Sequence, residues 1–135
     1  MRTPPALHTL GWSLVAVLVS GWLAVVEVFW LPLRIGGVLL PLSVVGAVAG
    51  NLAIGTAARR LSGSGTAAVV VAVTWLVVVV AAMIPRTEGD LVIVGGGGTG
   101  IVSVVFLMAG VVSAAYATGR ALATGRRGSD SGGAR

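Results

Sequence analysis

Four long apolar stretches constrain this chain more than any other feature of its sequence. They cover residues 10–31, 36–58, 66–84 and 99–122. A helix needs about 20 apolar residues to cross roughly 30 Å of hydrocarbon, and each stretch is close to that length. The sequence therefore predicts an all-α fold, a four-helix transmembrane bundle.

The composition of the chain excludes a water-soluble domain. Hydrophobic residues make up 56% of it and charged residues only 10%, whereas about a quarter of the residues of a soluble domain are charged. The valine-rich third stretch could also be a buried β-strand. Its length argues against that alternative, because an open sheet edge cannot face lipid.

The connections between the stretches are short, which predicts antiparallel neighbours in an up-down-up-down order. The arginines divide unequally between the two sides of such a bundle. One side holds Arg2, Arg59, Arg60, Arg120, Arg126, Arg127 and Arg135, and the other holds Arg34 and Arg86. Because loops rich in arginine stay in the cytoplasm, we expect both termini on the cytoplasmic side.

The chain then divides into a short cytoplasmic N-terminus at 1–9, the membrane bundle at 10–122 and a cytoplasmic tail at 123–135. The tail is rich in Gly, Ser and Arg, and we expect it to be disordered because it has little to bury. A cleaved signal peptide is the weaker alternative for the first stretch. Glu27, Phe29 and Trp30 stand where a cleavage site would need small residues.

Few residues of this chain could carry chemistry. It has no cysteine, one histidine and four acids, which leave no triad, metal cage or paired-carboxylate site. Residues 95–100 match G-x-G-x-x-G, but they precede a membrane helix and do not follow a strand, so we interpret them as a flexible entry to the fourth helix. The arginine-rich segments lack aromatic residues, which argues against a nucleic-acid partner. We expect no enzyme activity, no cofactor and no metal.

Glu27 is the leading candidate for a functional residue, because an ionisable side chain inside a span is costly and usually has a partner or a role. It lies three residues before Trp30, about one turn inside the outer interface. From there it can reach toward water or pair with Arg34 across the first loop, and we favour this structural pair. A proton-coupled or cation-binding role is the alternative.

Two further side chains near mid-span are candidates. Asn51 should form an interhelical hydrogen bond, which favours a packing role over contact with a substrate. Trp75, like Trp22, could line an aromatic cavity, although a tryptophan that faces lipid or the core is commoner.

Small residues at four-residue spacing predict the surfaces through which the helices pack, because lipid leaves close backbone approach and polar contacts to drive association. Three helices carry such series. They are Ala16, Ser20 and Ala24; Gly46, Gly50, Ala53 and Ala57; and Ala109, Ser113 and Ala117 beside Gly110 and Ala114. We expect packing within one chain, with an oligomer interface as the alternative.

The segment PRTEGDLVI at residues 85–93, set between two apolar stretches, resembles uncharacterised small four-helix integral membrane proteins of actinobacteria. This resemblance implies a plasma-membrane location and names no catalytic residue. The four-span plan with an acid in the first helix is also distantly similar to small multidrug resistance transporters. Those proteins hold the acid deep in a dimeric cavity, whereas Glu27 is displaced toward one face.

Two functions follow as expectations. The first is a non-enzymatic accessory or interaction subunit whose partners are the lipid bilayer and either another membrane protein or further copies of this chain. The alternative is a small proton-coupled or cation-linked transporter that works through Glu27.

Overall fold

A computed structural model describes residues 5–31, 33–35, 38–39, 41–84 and 97–130. The elements are α1 (Pro5–Phe29), β1 (Arg34–Ile35), β2 (Val38–Leu39), α2 (Leu42–Ser62), α3 (Gly65–Met83) and α4 (Gly97–Asp130). The two short strands pair antiparallel, with Arg34 opposite Leu39 and Ile35 opposite Val38. The predicted all-α, four-helix bundle is confirmed.

Each of the four helices is long and apolar enough to cross a membrane. The candidate spans are Ala6–Phe29, Leu42–Ser62, Gly65–Met83 and Gly100–Thr124. Even the shortest, with 19 residues, is about 28 Å long at 1.5 Å per residue, close to the thickness of the hydrocarbon core. The chain is therefore a multi-pass membrane protein by the length and composition of its helices.

The second helix begins later than the sequence predicts. The apolar stretch starts at residue 36, but β1 and β2 occupy residues 34–35 and 38–39, and α2 starts at Leu42 after an N-cap at Pro41. A proline suits a helix start because its missing N–H would be unbonded there anyway. The helix runs past residue 58 to Ser62, where Gly63 at φ 69° ends it in the left-handed conformation.

The fourth helix extends well beyond the predicted end of its span. It continues to Asp130, whereas we expected disorder from residue 123. Ala123, Arg126 and Arg127 favour a helix, whereas Gly125 and Gly128 disfavour it. Thr124 Oγ1 donates a hydrogen bond to the carbonyl of Arg120. Residues 131–135 lie outside the described part of the chain.

The first helix begins at Pro5 and not at residue 10, while the third agrees with its predicted bounds within one residue.

The helices alternate in direction, as predicted. At one end of the bundle, Thr9 near the start of α1 donates to the carbonyl of Ser62 at the end of α2, at 3.3 Å. At the same end, the start of α3 at Gly65 lies beside Ala121 of α4. We call this the arginine end, because the last turn of α2 carries Arg59 and Arg60.

Helices α2 and α3 form the middle of the bundle, because each packs against all of the others. Helices α1 and α4 each pack against α2 and α3 but hardly against one another, and so occupy opposite corners. The core contains two groups of buried side chains. The larger, away from the arginine end, consists of Ala24, Val28, Leu31, Ala47, Trp75, Val79 and Phe106. The smaller, toward the arginine end, consists of Ala16, Ala58, Ala67 and Val71.

The predicted packing series are buried in α1 and largely buried in α4, but the series in α2 is only partly right. Ala53 and Ala57 are exposed, and the buried face of α2 carries Ser43, Ala47, Asn51, Gly55, Ala58 and Ser62. Gly46 and Gly50 do face α1. In a helix that is apolar and small on several sides, four-residue spacing marks more than one stripe, so spacing cannot select the face that packs.

Candidate functional site

Glu27 lies inside the bundle, with 1% of its surface exposed. One carboxylate oxygen, Oε2, accepts a hydrogen bond from the indole Nε1–H of Trp75 at 2.8 Å. This bond connects α1 to α3. The expectation that Glu27 reaches outward to water is therefore wrong, because an indole N–H inside the bundle offers the carboxylate a partner.

Two glycines of α2 make room for this carboxyl group. A Cβ added to Gly46 would lie 3.3 Å from Glu27 Cγ, and one added to Gly50 would lie 3.2 Å from Glu27 Oε1. Larger residues at either position would crowd the acid. The second oxygen, Oε1, has no hydrogen-bond partner among the described residues. Among the described residues, one oxygen of this buried carboxyl group is thus hydrogen-bonded and the other is not.

Trp75 is held from several sides. It is 1% exposed, and its ring lies 5.5 Å from that of Phe106, centroid to centroid, at an angle of 53°. Gly110 of α4 lies directly under the ring, where any side chain would collide with it. The indole is therefore fixed between an acid on α1 and a glycine on α4.

Asn51 forms the interhelical hydrogen bond that the sequence predicts. Its Nδ2 donates to the carbonyl of Gly110 at 3.4 Å, from α2 to α4. Ser113 donates to the same carbonyl at 2.9 Å and lies 3.5 Å from the carbonyl of Ala47. Gly110 thus leaves space for the Trp75 ring, and its carbonyl accepts hydrogen bonds from Asn51 and Ser113.

Three candidates from the sequence, Glu27, Asn51 and Trp75, meet around α2 and α3, whereas Arg34 is placed only by its backbone, in β1. The side chain of Arg34 lies outside the described part, so its pairing with Glu27 stays a prediction. Trp22 does not join the site, because it is 73% exposed on the outer face of α1.

Sequence reasoning did not assign Phe106 to the site, and it placed Gly110 only in a packing series. No local sequence pattern identifies either residue, because each belongs to the site only by its contact with Trp75, more than 30 positions earlier in the chain. The signal that existed was the presence of one acid and one mid-span tryptophan on different predicted helices. Which face each helix turns inward could not be inferred from it.

The chemistry available to this site is narrow. Among the described residues, no group of three or more His, Asp or Glu side chains lies close enough to hold a metal ion. A carboxyl group, an indole N–H and an amide can hold a proton or a small cation, or join helices. They do not form a nucleophile with its base. The loop acids Glu88 and Asp90 and the glycines before residue 97 lie outside the described part.

Comparison with protein-family models, with curated proteins and with solved structures finds no match to this chain. The interpretation of the site therefore rests on its own geometry.

Proposed function

We propose that this chain is a non-enzymatic plasma-membrane protein that acts as an accessory or interaction subunit. One observation carries the proposal: the one acid among the described side chains, Glu27, is bonded to Trp75 inside the bundle. Asn51 and Ser20 likewise bond to backbone carbonyls of neighbouring helices. These three polar side chains of the core thus hold helices together.

The outer surface supports the same proposal. Every helix turns large apolar side chains outward, as Trp22, Val45, Val77 and Val112 illustrate, each at least 60% exposed. Such faces contact lipid, and they can also contact another membrane helix by close packing. We further propose that both termini are cytoplasmic, because Arg59, Arg60 and Arg120 lie at the same end of the bundle as the start of α1.

Membership of the small four-helix membrane proteins of actinobacteria is also our proposal. The segment at residues 85–93 and the four-span plan support it.

In-membrane photocrosslinking would test the accessory role. A photoreactive phenylalanine is placed at Trp22, Val45, Val77 or Val112, one per helix, with Phe106 in the core as the matched control. We expect a discrete protein adduct from one or two adjacent faces and none from Phe106. An adduct of twice the 13.4 kDa chain mass identifies a second copy, and any other mass identifies a different partner. If all four outer positions label lipid alone, the result would contradict the accessory role.

A second function, proton-coupled or cation-linked transport through Glu27, is favoured by the carboxylate oxygen Oε1, which has no hydrogen-bond partner among the described residues. An unbonded charged oxygen in an apolar interior is costly, and a proton or a cation on it would offset that cost. Trp75 also lines a cavity of about 200 Å³ between α3 and α4.

A measurement of proton flux in vesicles distinguishes the transport function from the accessory role. The purified chain is reconstituted in vesicles that contain a pH-sensitive dye, and an inward pH gradient is imposed. Glu27→Gln is the informative variant, because its amide oxygen can still accept from Trp75 and the fold is retained. Transport predicts flux in the wild type and background flux in Glu27→Gln. Equal flux in the two proteins would exclude proton movement through this residue.

A further inference from the structure

The arginine end of the bundle contains a basic cavity that the site around Glu27 does not use. It has a volume of about 430 Å³, lies between α2 and α4, and is lined by Arg59, Arg60 and Arg120 with the hydroxyl-bearing residues Thr56 and Thr124. Guanidinium and hydroxyl groups are donors that suit phosphate oxygens. The lining thus combines positive charge with donors around a volume that can hold a phosphate group.

The positive charge of this cavity is not neutralised by any described acid. Glu27 is the one acidic residue whose side chain the structure describes, and it lies beside Gly46 and Gly50. Gly50, the nearer of the two to the arginine end, is nine residues from Arg59 along α2, or about 14 Å at 1.5 Å per residue. Arg120 is also oriented, since its guanidinium lies 5.7 Å from the centre of the Tyr116 ring. Three cations therefore line the cavity with no carboxylate from a described side chain among them.

The depth of the cavity matches that of lipid headgroups. Arg59 and Arg60 lie in the last turn of α2, and Arg120 lies four residues before Thr124, the end of the fourth candidate span. Arginine side chains at the ends of spans extend into the headgroup region. The cavity thus faces the layer in which lipid phosphates lie.

An apolar groove continues from the basic cavity toward mid-membrane. It has a volume of about 550 Å³ and shares Thr56 and Arg60 with the cavity. Its remaining lining is Ala49, Leu52, Ala53, Ala57 and Leu61. Ala53 and Ala57 are the small residues that sequence spacing assigned to helix packing and that the bundle leaves exposed. Their short side chains leave a shallow apolar surface along α2 against which an acyl chain can lie.

We propose that the cavity and the groove together bind one anionic phospholipid. The arginines hold its phosphate, and the alanine face of α2 holds an acyl chain. Free phosphate would use the same donors, but it would leave the apolar groove empty. The continuity of the two surfaces through Thr56 and Arg60 is what favours the lipid. This inference does not depend on the proposed function.

Native mass spectrometry of the full chain would test it. The purified protein in detergent is given equal amounts of phosphatidylglycerol and phosphatidylcholine. We expect selective retention of one phosphatidylglycerol, about fivefold weaker in Arg120→Gln and about 25-fold weaker in Arg59→Gln/Arg120→Gln, since each surface arginine contributes about one factor of five. The charge-matched control is Arg34→Gln, because Arg34 lies in β1, away from the arginine end. It should bind like the wild type.

The groove is tested separately. Ala53→Phe should fill it and weaken long-chain phosphatidylglycerol at least fivefold, while short-chain dihexanoyl phosphatidylglycerol binds as before. Ala81→Phe, at an exposed position of α3, is the matched control and should change neither. Equal retention of the two headgroups, or equal losses in Arg34→Gln and Arg120→Gln, would overturn the proposal. Displacement of the lipid by millimolar inorganic phosphate, with no effect of Ala53→Phe, would mean that the cavity binds free phosphate and not a phospholipid.

Discussion

Gly110→Ala adds one methyl group at the most confined point that we find in the bundle. The new Cβ would lie 3.0 Å from Trp75 Cζ3 and closer still to two other ring atoms. The ring has little space for retreat, since it is 1% exposed and lies against Phe106 at 5.5 Å. Its Nε1–H is also bonded to Glu27 at 2.8 Å. Either the ring or the whole of α4 must move.

The size of the effect follows from three contributions. Overpacking a filled core costs about 1–3 kcal/mol. A displaced ring would also lose the hydrogen bond to Glu27, which costs about 1 kcal/mol more. Alanine recovers about 1 kcal/mol through its better helix propensity. We therefore expect Gly110→Ala to lower the free energy of unfolding by about 1–3 kcal/mol.

Unfolding of the full chain by SDS in mixed micelles, followed by circular dichroism, measures this difference. Gly119→Ala is the matched control on the same helix, because a Cβ at Gly119 meets nothing within 4 Å, and it should be unchanged or slightly more stable. Trp75→Phe in the Gly110→Ala background should cost less than the sum of the single changes, since a smaller ring relieves the collision. Equal stability of Gly110→Ala and Gly119→Ala would refute this reasoning.

Three further predictions use the same unfolding assay. Glu27→Gln should stay within about 1 kcal/mol of the wild type because it still accepts from Trp75, whereas Glu27→Ala leaves the buried N–H unbonded and should lose about 2–4 kcal/mol; equal values would mean that the hydrogen bond contributes nothing. Asn51→Ala should lose about 0.6 kcal/mol, the average for an interhelical hydrogen bond in a membrane, and a loss well above 2 kcal/mol would contradict a simple packing role. Trp22→Leu should change stability by less than about 0.5 kcal/mol, since the side chain is 73% exposed; a larger loss would place Trp22 in a contact that the described bundle lacks.

The number and approximate position of the helices could be predicted because hydrocarbon thickness sets the length of an apolar span. The start of α2 could not be placed from hydropathy, because residues 36–41 are as apolar as the helix that follows. In a short apolar run, hydrophobic periodicity does not distinguish a strand from a helix. Pro41 was the available signal, since proline favours the first positions of a helix and restricts the residue before it.

The sequence predicted several residues of the candidate site but not the contacts between them. Glu27, Asn51 and Trp75 stood out as polar or aromatic residues inside spans, but the pairing of Glu27 with Trp75 joins positions 48 residues apart. In a soluble helix, polarity reveals the buried face. A membrane helix has apolar surroundings on both sides. The small-residue series marked the inward face of α1, but α3 carries no such series, so the rotation of α3 that brings the indole to the acid could not be predicted.

Only Gly63 and Ser64 separate α2 from α3. Ser64 caps the start of α3 through Thr66, and Gly63 ends α2 through the carbonyl of Arg59. Three peptide units join Ser62 to Gly65 and span at most about 11 Å when fully extended, so these two helix ends must stay close together. Helices α2 and α3 are therefore tethered at the arginine end, and a movement of one against the other must pivot about this turn.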